Sequence, residues 1–146
     1  MPTQQYIING IQDHGPIIDA EIFTNKESFL LVKNKFHKQE FIKAKLLIDT
    51  GSSISGLDKT LINKLNLNEY SELAEIDGAG GIFNLKRYYC VLYLNIFEKK
   101  GLPIDVIEGD YSHTIYDGII GRDVLKFCHL DYDGPNETYK LKAINF

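Results

Sequence analysis

Leu46-Leu47-Ile48-Asp49-Thr50-Gly51-Ser52-Ser53-Ile54-Ser55-Gly56-Leu57 decides the fold: an aliphatic run delivers one carboxylate into a glycine and serine turn. Three apolar residues in a row are the pattern of a strand buried on both faces, so the residue that follows emerges from the core. A desolvated aspartate is costly unless hydrogen bonds compensate it. The hydroxyls of Thr50, Ser52 and Ser53 and the pliable backbone at Gly51 lie within local reach of Asp49. Asp49 is therefore the candidate catalytic acid.

Working outward, Phe41 to Lys45 alternate before the run becomes fully apolar, which extends the strand backwards. Earlier, Tyr6 to Ile11 reads as a short strand ending at Gly10, Asp13 to Pro16 as a turn, and Ile17 to Phe23 and Ser28 to Val32 as two more strands. After the turn, Leu61, Ile62 and Leu65 recur at helical spacing behind Asp58, a candidate cap. Asn66 to Tyr70 break that helix. Ile76-Asp77-Gly78-Ala79-Gly80-Gly81-Ile82 then places three glycines in four positions between β-like arms, the pattern of a hairpin with a mobile tip.

Arg87 to Phe97 is the longest β-prone run and is expected to be the central strand. Near the end, Gly118-Ile119-Ile120-Gly121-Arg122-Asp123-Val124-Leu125 runs isoleucines into a glycine, with Asp123 placed to cap a short helix. Thr138 to Phe146 alternate like one further strand. Strands at short regular spacing indicate a mostly β domain. Leu47-Ile48-Asp49-Thr50-Gly51 and Gly118-Ile119-Ile120-Gly121 form a faint internal echo about a possible pseudo-twofold, seventy positions apart.

At 146 residues the chain reads as one domain, and a net charge of -4 argues against a nucleic-acid partner, whose phosphates need clustered lysine and arginine. The lysine-rich segment from Lys33 to Lys45 is interleaved with Phe36, Phe41 and Ile42 and reads as a solvated face. Two cysteines, Cys90 and Cys128, build no disulfide framework, which suits a reducing compartment. The N-terminus lacks a basic region followed by an apolar stretch, and no run approaches about 18 apolar residues, so no membrane partner and a cytoplasmic location are expected. Cys and His spacing excludes a metal site, and no cofactor is expected. His113 and His129 read as surface or structural histidines. A Cys128-His129 nucleophile fails because neighbours in an element point in different directions.

The Asp49 turn, the glycine hairpin and the Ile119 to Leu125 stretch, in that order, resemble the retropepsins, the single-domain aspartic proteases of retroviruses and of related cellular and bacterial proteins. The likeness runs from about Phe41 to the C-terminus. It implies a single-domain closed β-barrel with one or two short helices and a β-hairpin flap. In the family the first motif carries the catalytic aspartate, which falls on Asp49, with Thr50 bracing two active-site loops and Gly51 contacting substrate. Ile76, Asp77, Gly78, Ala79, Gly80 and Gly81 correspond to the flap, with Ala79 at its tip. Ser52, Ile120, Gly121, Arg122 and Asp123 correspond to the supporting turns. Where viral enzymes place an aspartate that pairs with the arginine, this chain has Ser53. Arg122 must then pair with Asp58 or Asp123 or turn outward. Residues 1–40 exceed the usual lead-in and are expected as an extension packed on a 41–146 core; extra strands, a wall of the substrate channel or part of an interface are the roles open to them.

The resemblance implies an aspartic endopeptidase acting on extended, mainly apolar peptides at mildly acidic pH. Two carboxylates within hydrogen-bonding distance share a proton, so one serves as base toward water and the other as acid toward the carbonyl. The chain has a single Asp-Thr-Gly, and nothing equivalent follows Ile120. A homodimer pairing Asp49 of two copies is the consequence. The rival expectation is a non-catalytic peptide-binding or scaffold module on the same fold.

Overall fold

The computed structural model describes residues 3–7, 11–33, 41–70 and 72–144. Gly10, positions 34–40 of the lysine-rich segment and the final residues 145–146, on which sequence expectations also fell, lie outside the described residues.

Six strands close into a mixed barrel: β2 (Ile17–Phe23), β3 (Phe41–Ile48), β10 (Gly118–Ile120), β4 (Gly56–Asp58), β9 (Leu102–Gly109) and β8 (Arg87–Tyr93), which pairs back onto β2. β3 and β10 run parallel, as do β4 and β9; the other four pairings are antiparallel. Closure removes the unpaired edges that a flat sheet of this size would expose. A short strand β5 (Asn68–Glu69) flanks β8. Two smaller sheets complete the β structure. β1 (Thr3–Ile7) and β11 (Cys128–Asp133) pair on either side of β12 (Thr138–Ala143), and β6 (Ala74–Gly78) with β7 (Gly81–Leu85) forms a separate hairpin.

The helices are short: α1 (Ile11–His14), α2 (Lys26–Lys33), α3 (Lys59–Leu65) and α4 (Arg122–Leu125), with a 3-10 turn at Asn95–Phe97. Asp58 caps α3 as expected, its carboxylate accepting the N–H of Thr60 at 3.0 Å.

Inward residues of the staves form one core, including Ile18, Ile22, Leu46, Ile48, Leu57, Leu92, Val106 and Ile120. At roughly 25 cal/mol for each Å² of apolar surface removed from water, this burial is the main stabilising term. The three-stranded sheet is fastened to the barrel by Tyr139, which is fully buried and donates its hydroxyl to the Ile17 carbonyl at 2.5 Å.

Three expectations are corrected. Ser28 to Val32 is helix α2: the Asn25 side chain accepts the N–H of Ser28 at 2.8 Å, an N-cap, and the segment buries Phe29 while leaving Leu30 exposed. Phe29 meets Phe23 edge-on with centroids 5.2 Å apart, and Phe41 stacks on Phe23 at 5.1 Å, a second small core. The run from Arg87 to Phe97 is strand only to Tyr93, because Phe97 N–H turns back to the Leu94 carbonyl at 2.8 Å; it closes the barrel and is not a central strand. Ile11 starts a helical turn that Gly15 ends with φ +77°, so no strand reaches it.

Residues 17–23 settle part of what the lead-in does, since β2 is the stave between β3 and β8. The two echoing segments also lie side by side, with Ile119 opposite Leu47 and Ile120 opposite Ile48. The packing there is close enough to require glycine. A Cβ on Gly118 would lie 2.2 Å from the Gly56 carbonyl oxygen, a backbone atom that cannot swing aside. Gly118→Ala is expected to cost about 3 kcal/mol or more, read as a lowered denaturant midpoint; an unchanged midpoint would contradict this packing.

Candidate active site

The site is built where β3 and β10 end together. Asp49 N–H donates to the Ile120 carbonyl at 2.9 Å, which carries the parallel ladder one residue past β3 and fixes where the side chain leaves the barrel. The turn then folds back: Ser52 N–H donates to the Asp49 carbonyl at 3.2 Å and Gly51 N–H to Asp49 Oδ1 at 2.9 Å. The carboxylate is thus oriented by its own loop, and the residue is half-buried. Ser52 Oγ donates to the Ile54 carbonyl at 2.7 Å and stiffens the far side of the turn.

The second glycine turn locks onto the first. Arg122 N–H donates to the Ser52 carbonyl at 2.8 Å, and Arg122 Nη1 donates to the Thr50 carbonyl at 2.7 Å. A Cβ on Gly121 would meet the Ile54 carbonyl carbon at 2.8 Å and the Ser52 oxygen at 2.9 Å, so only glycine permits this approach. Arg122 turns outward and clamps the Asp49 loop through a backbone carbonyl, pairing with neither Asp58 nor Asp123. Among the described residues no carboxylate lies within ion-pair distance of it.

Asp123 does not cap α4. Gly121 occupies that position without a side-chain bond; the Asp123 carboxylate, one residue inside the helix, accepts the Val124 N–H at 3.0 Å and is engaged by Ser55, from N–H at 3.0 Å and from Oγ at 2.7 Å. Ser55 Oγ in turn accepts the N–H of Gly121 at 3.0 Å. Ser55 is buried, and this hydrogen-bonded link ties both turns together. The sequence reading missed Ser55; its only signal was a polar residue inside an otherwise closing β run.

Asp49, Thr50, Gly51 and Ser52 are therefore brought together with Ile120, Gly121, Arg122 and Asp123. The hairpin residues Ile76, Asp77, Gly78, Ala79, Gly80 and Gly81 stand apart on their own two-stranded sheet, which pairs with no other strand among the described residues. Gly78 pairs with Gly81, leaving Ala79 and Gly80 as the two-residue tip, and Gly81 takes φ +114°. Beyond the tip Ile82 and Phe83 are exposed, 64% and 49%.

Tyr111 is a further neighbour that the sequence did not mark. Its N–H donates to Asp58 Oδ1 at 2.8 Å, and its ring lies against Gly56 and Gly109. Burial first, then Tyr116 and the nearby charges of Asp49 and Asp58, push its phenol up to about 12, so it is a neutral hydrogen-bonding group. Neither cysteine offers a nucleophile: burial pushes Cys90 up to about 12 and Cys128 up to about 11, which keeps both as thiols. His113 and His129 are exposed.

Two outcomes follow from these bonds. Ser55→Ala leaves Gly121 N–H without its acceptor and strips the Asp123 carboxylate of its hydroxyl donor, and is expected to cost about 1–3 kcal/mol in denaturant unfolding; no change would contradict the link. Asp58 is held below the usual carboxylate range by the Thr60 hydroxyl first and then by Tyr111 N–H. Its contribution to stability is thus present above its unfolded pKa and lost as pH falls through the lowered folded value. Asp58→Asn should flatten acid-induced loss of stability below about pH 4, and an unaltered acid limb would contradict this.

No protein-family model matches the sequence, and no curated protein matches it. Solved structures do. The chain superposes on a retropepsin-like aspartic protease from Rickettsia conorii with a TM-score of 0.56 and 17% identity, covering 96% of this chain and 91% of that one. It superposes on EIAV protease complexed with an inhibitor with a TM-score of 0.53 and 18% identity, covering 82% of this chain and 92% of that one. At these identities the likeness speaks for architecture alone. The chain has the retropepsin-like fold.

Proposed function

We propose that this chain, read as a single domain over residues 1–146, is an aspartic endopeptidase whose working unit is a homodimer. The observation that carries the reading is Asp49: an acid at the end of a buried strand, oriented by Gly51 N–H and half-buried. One copy supplies one carboxylate, so a second Asp49 across a twofold axis completes the pair. Held within hydrogen-bonding distance, the two titrate as a unit and share a proton. The ionised member takes a proton from the attacking water while the protonated member donates to the scissile carbonyl oxygen.

The remaining residues serve this step. Thr50 braces the paired loops and Gly51 meets the substrate backbone. The Ile76 to Gly81 hairpin acts as a flap, pairing with an extended peptide through main-chain hydrogen bonds and excluding bulk water on closure. The exposed Ile82 and Phe83 supply apolar surface beside that tip. Arg122, Ser52 and Asp123 hold the loop from behind. Two free cysteines fit residence in a reducing compartment such as the cytoplasm.

Ser53, exposed where viral enzymes carry an acid, favours one second reading, a peptide-binding module that keeps the fold without turnover. A single substitution separates the two. Asp49→Asn should leave sedimentation and the far-UV spectrum unchanged and lower peptide-library cleavage by about a hundredfold to ten-thousandfold. Cleavage undiminished in that variant would overturn the proposal; peptide binding without any turnover by the wild-type dimer would establish the second reading.

A further inference from the structure

The hairpin leaves the barrel between Tyr70 and Arg87, and these two roots are held side by side: Tyr70 N–H donates to the Arg87 carbonyl at 2.9 Å. The Arg87 guanidinium lies over the Tyr70 ring, its carbon 4.9 Å from the centroid. Asp105, on β9 of the barrel wall and opposite Tyr89 in register, lies beside the Arg87 guanidinium. The nearby Asp105 carboxylate, ahead of burial, raises the Tyr70 phenol above its usual range.

The arginine contact is unfinished. Arg87 Nε stands 3.9 Å from Asp105 Oδ2, beyond hydrogen-bond reach, and it is fully buried with no acceptor among the described residues. A buried donor without an acceptor is unfavourable, and a guanidinium beside a carboxylate has a strong bond available to it. An inward movement of about 1 Å at the hairpin roots brings Nε within ordinary N–H to O distance. The second ion pair at the root, Lys86 with Glu69 at 3.6 Å, is exposed and adds little.

We propose that Tyr70, Arg87 and Asp105 form a clasp at the hairpin root with two settings: the loose one seen here, and a closed one in which Arg87 Nε bonds Asp105 as the hairpin swings toward the Asp49 site. Arg87 and Asp105 are positioning residues. They touch no substrate and act through the angle of the hairpin. The planar guanidinium is required, because it must stack on Tyr70 and donate from its edge at once, which a lysine ammonium cannot do. The functional consequence rests on the reading of the hairpin as a flap; the motion itself does not.

The test uses the full chain as wild type, Asp105→Asn, Arg87→Lys and Tyr70→Phe, with amide hydrogen exchange followed in two regions, the hairpin from Ile76 to Phe83 and the barrel at Val91, Leu92 and Ile120. The expected result is hairpin exchange faster by about fivefold or more in Asp105→Asn and Arg87→Lys, from loss of one charge-assisted bond. Tyr70→Phe, which keeps the ring, should show a smaller increase, and barrel exchange should not move. Where the chain cleaves peptides, KM rises in the first two variants with kcat nearly held. Equal acceleration in barrel and hairpin would mean a merely structural ion pair and overturn the proposal, as would unchanged hairpin exchange. A wild type that cleaves nothing removes the protease reading but leaves the exchange comparison decisive for the clasp.

Discussion

Two glycine turns meet backbone to backbone at the shared end of β3 and β10, and the separation leaves no room for a side chain at Gly121 and none at Gly118 one strand-length below. Because β3 and β10 are parallel and hydrogen-bonded in register, both turns emerge from the barrel at the same level. Each then satisfies the other's polar groups: Asp49 N–H goes to Ile120, Arg122 N–H to Ser52, and Ser55 joins Gly121 to Asp123. A carboxylate held this way is oriented in advance, which is the structural meaning of preorganisation. The rest of the barrel exists to keep those two strand ends adjacent.

The arrangement also bears on why the proposed reaction needs a second chain. A closed barrel presents the Asp49 turn on its outside, with the residue half-buried, and among the described residues the nearby acids Asp123 and Asp58 are engaged by Ser55 with Val124 and by Thr60 with Tyr111. The acid that would complete a pair therefore comes from a second molecule in the proposed reaction. The hairpin, by contrast, is joined to the barrel at its roots, where Tyr70, Arg87 and Asp105 meet. In the proposed reaction the turn holds the acid and the hairpin admits an extended peptide.

Much of this was legible in the sequence because the decisive features are local. The aliphatic run into Asp49, the glycine tip from Gly78 to Gly81, and the isoleucines before Gly121 are each read from a few consecutive residues, and the Asp58 cap from its spacing to Leu61. What was illegible depends on partners distant in the chain. Ser28 to Val32 is β-prone by composition, but the Asn25 cap and the burial of Phe29 against Phe23 turn it into a helix. Among pairing with Asp58, pairing with Asp123 and turning outward, nothing local decides for Arg122; it turns outward, and its guanidinium reaches the Thr50 carbonyl across 72 positions. Ser55 and Tyr111 gave no signal because their roles arise only once β4, β9 and β10 are neighbours. The place of residues 17–23 as a barrel stave was equally hidden, since nothing in Ile17 to Phe23 says which strands will flank it.

The account turns on the partnership of two Asp49 side chains, and a crystal structure of the purified protein measures it directly. Two copies related by a twofold axis with their Asp49 carboxylates about 3 Å apart is the result the account predicts. A monomer, or a dimer whose Asp49 carboxylates face away from one another at a separation no shared proton can bridge, would contradict it.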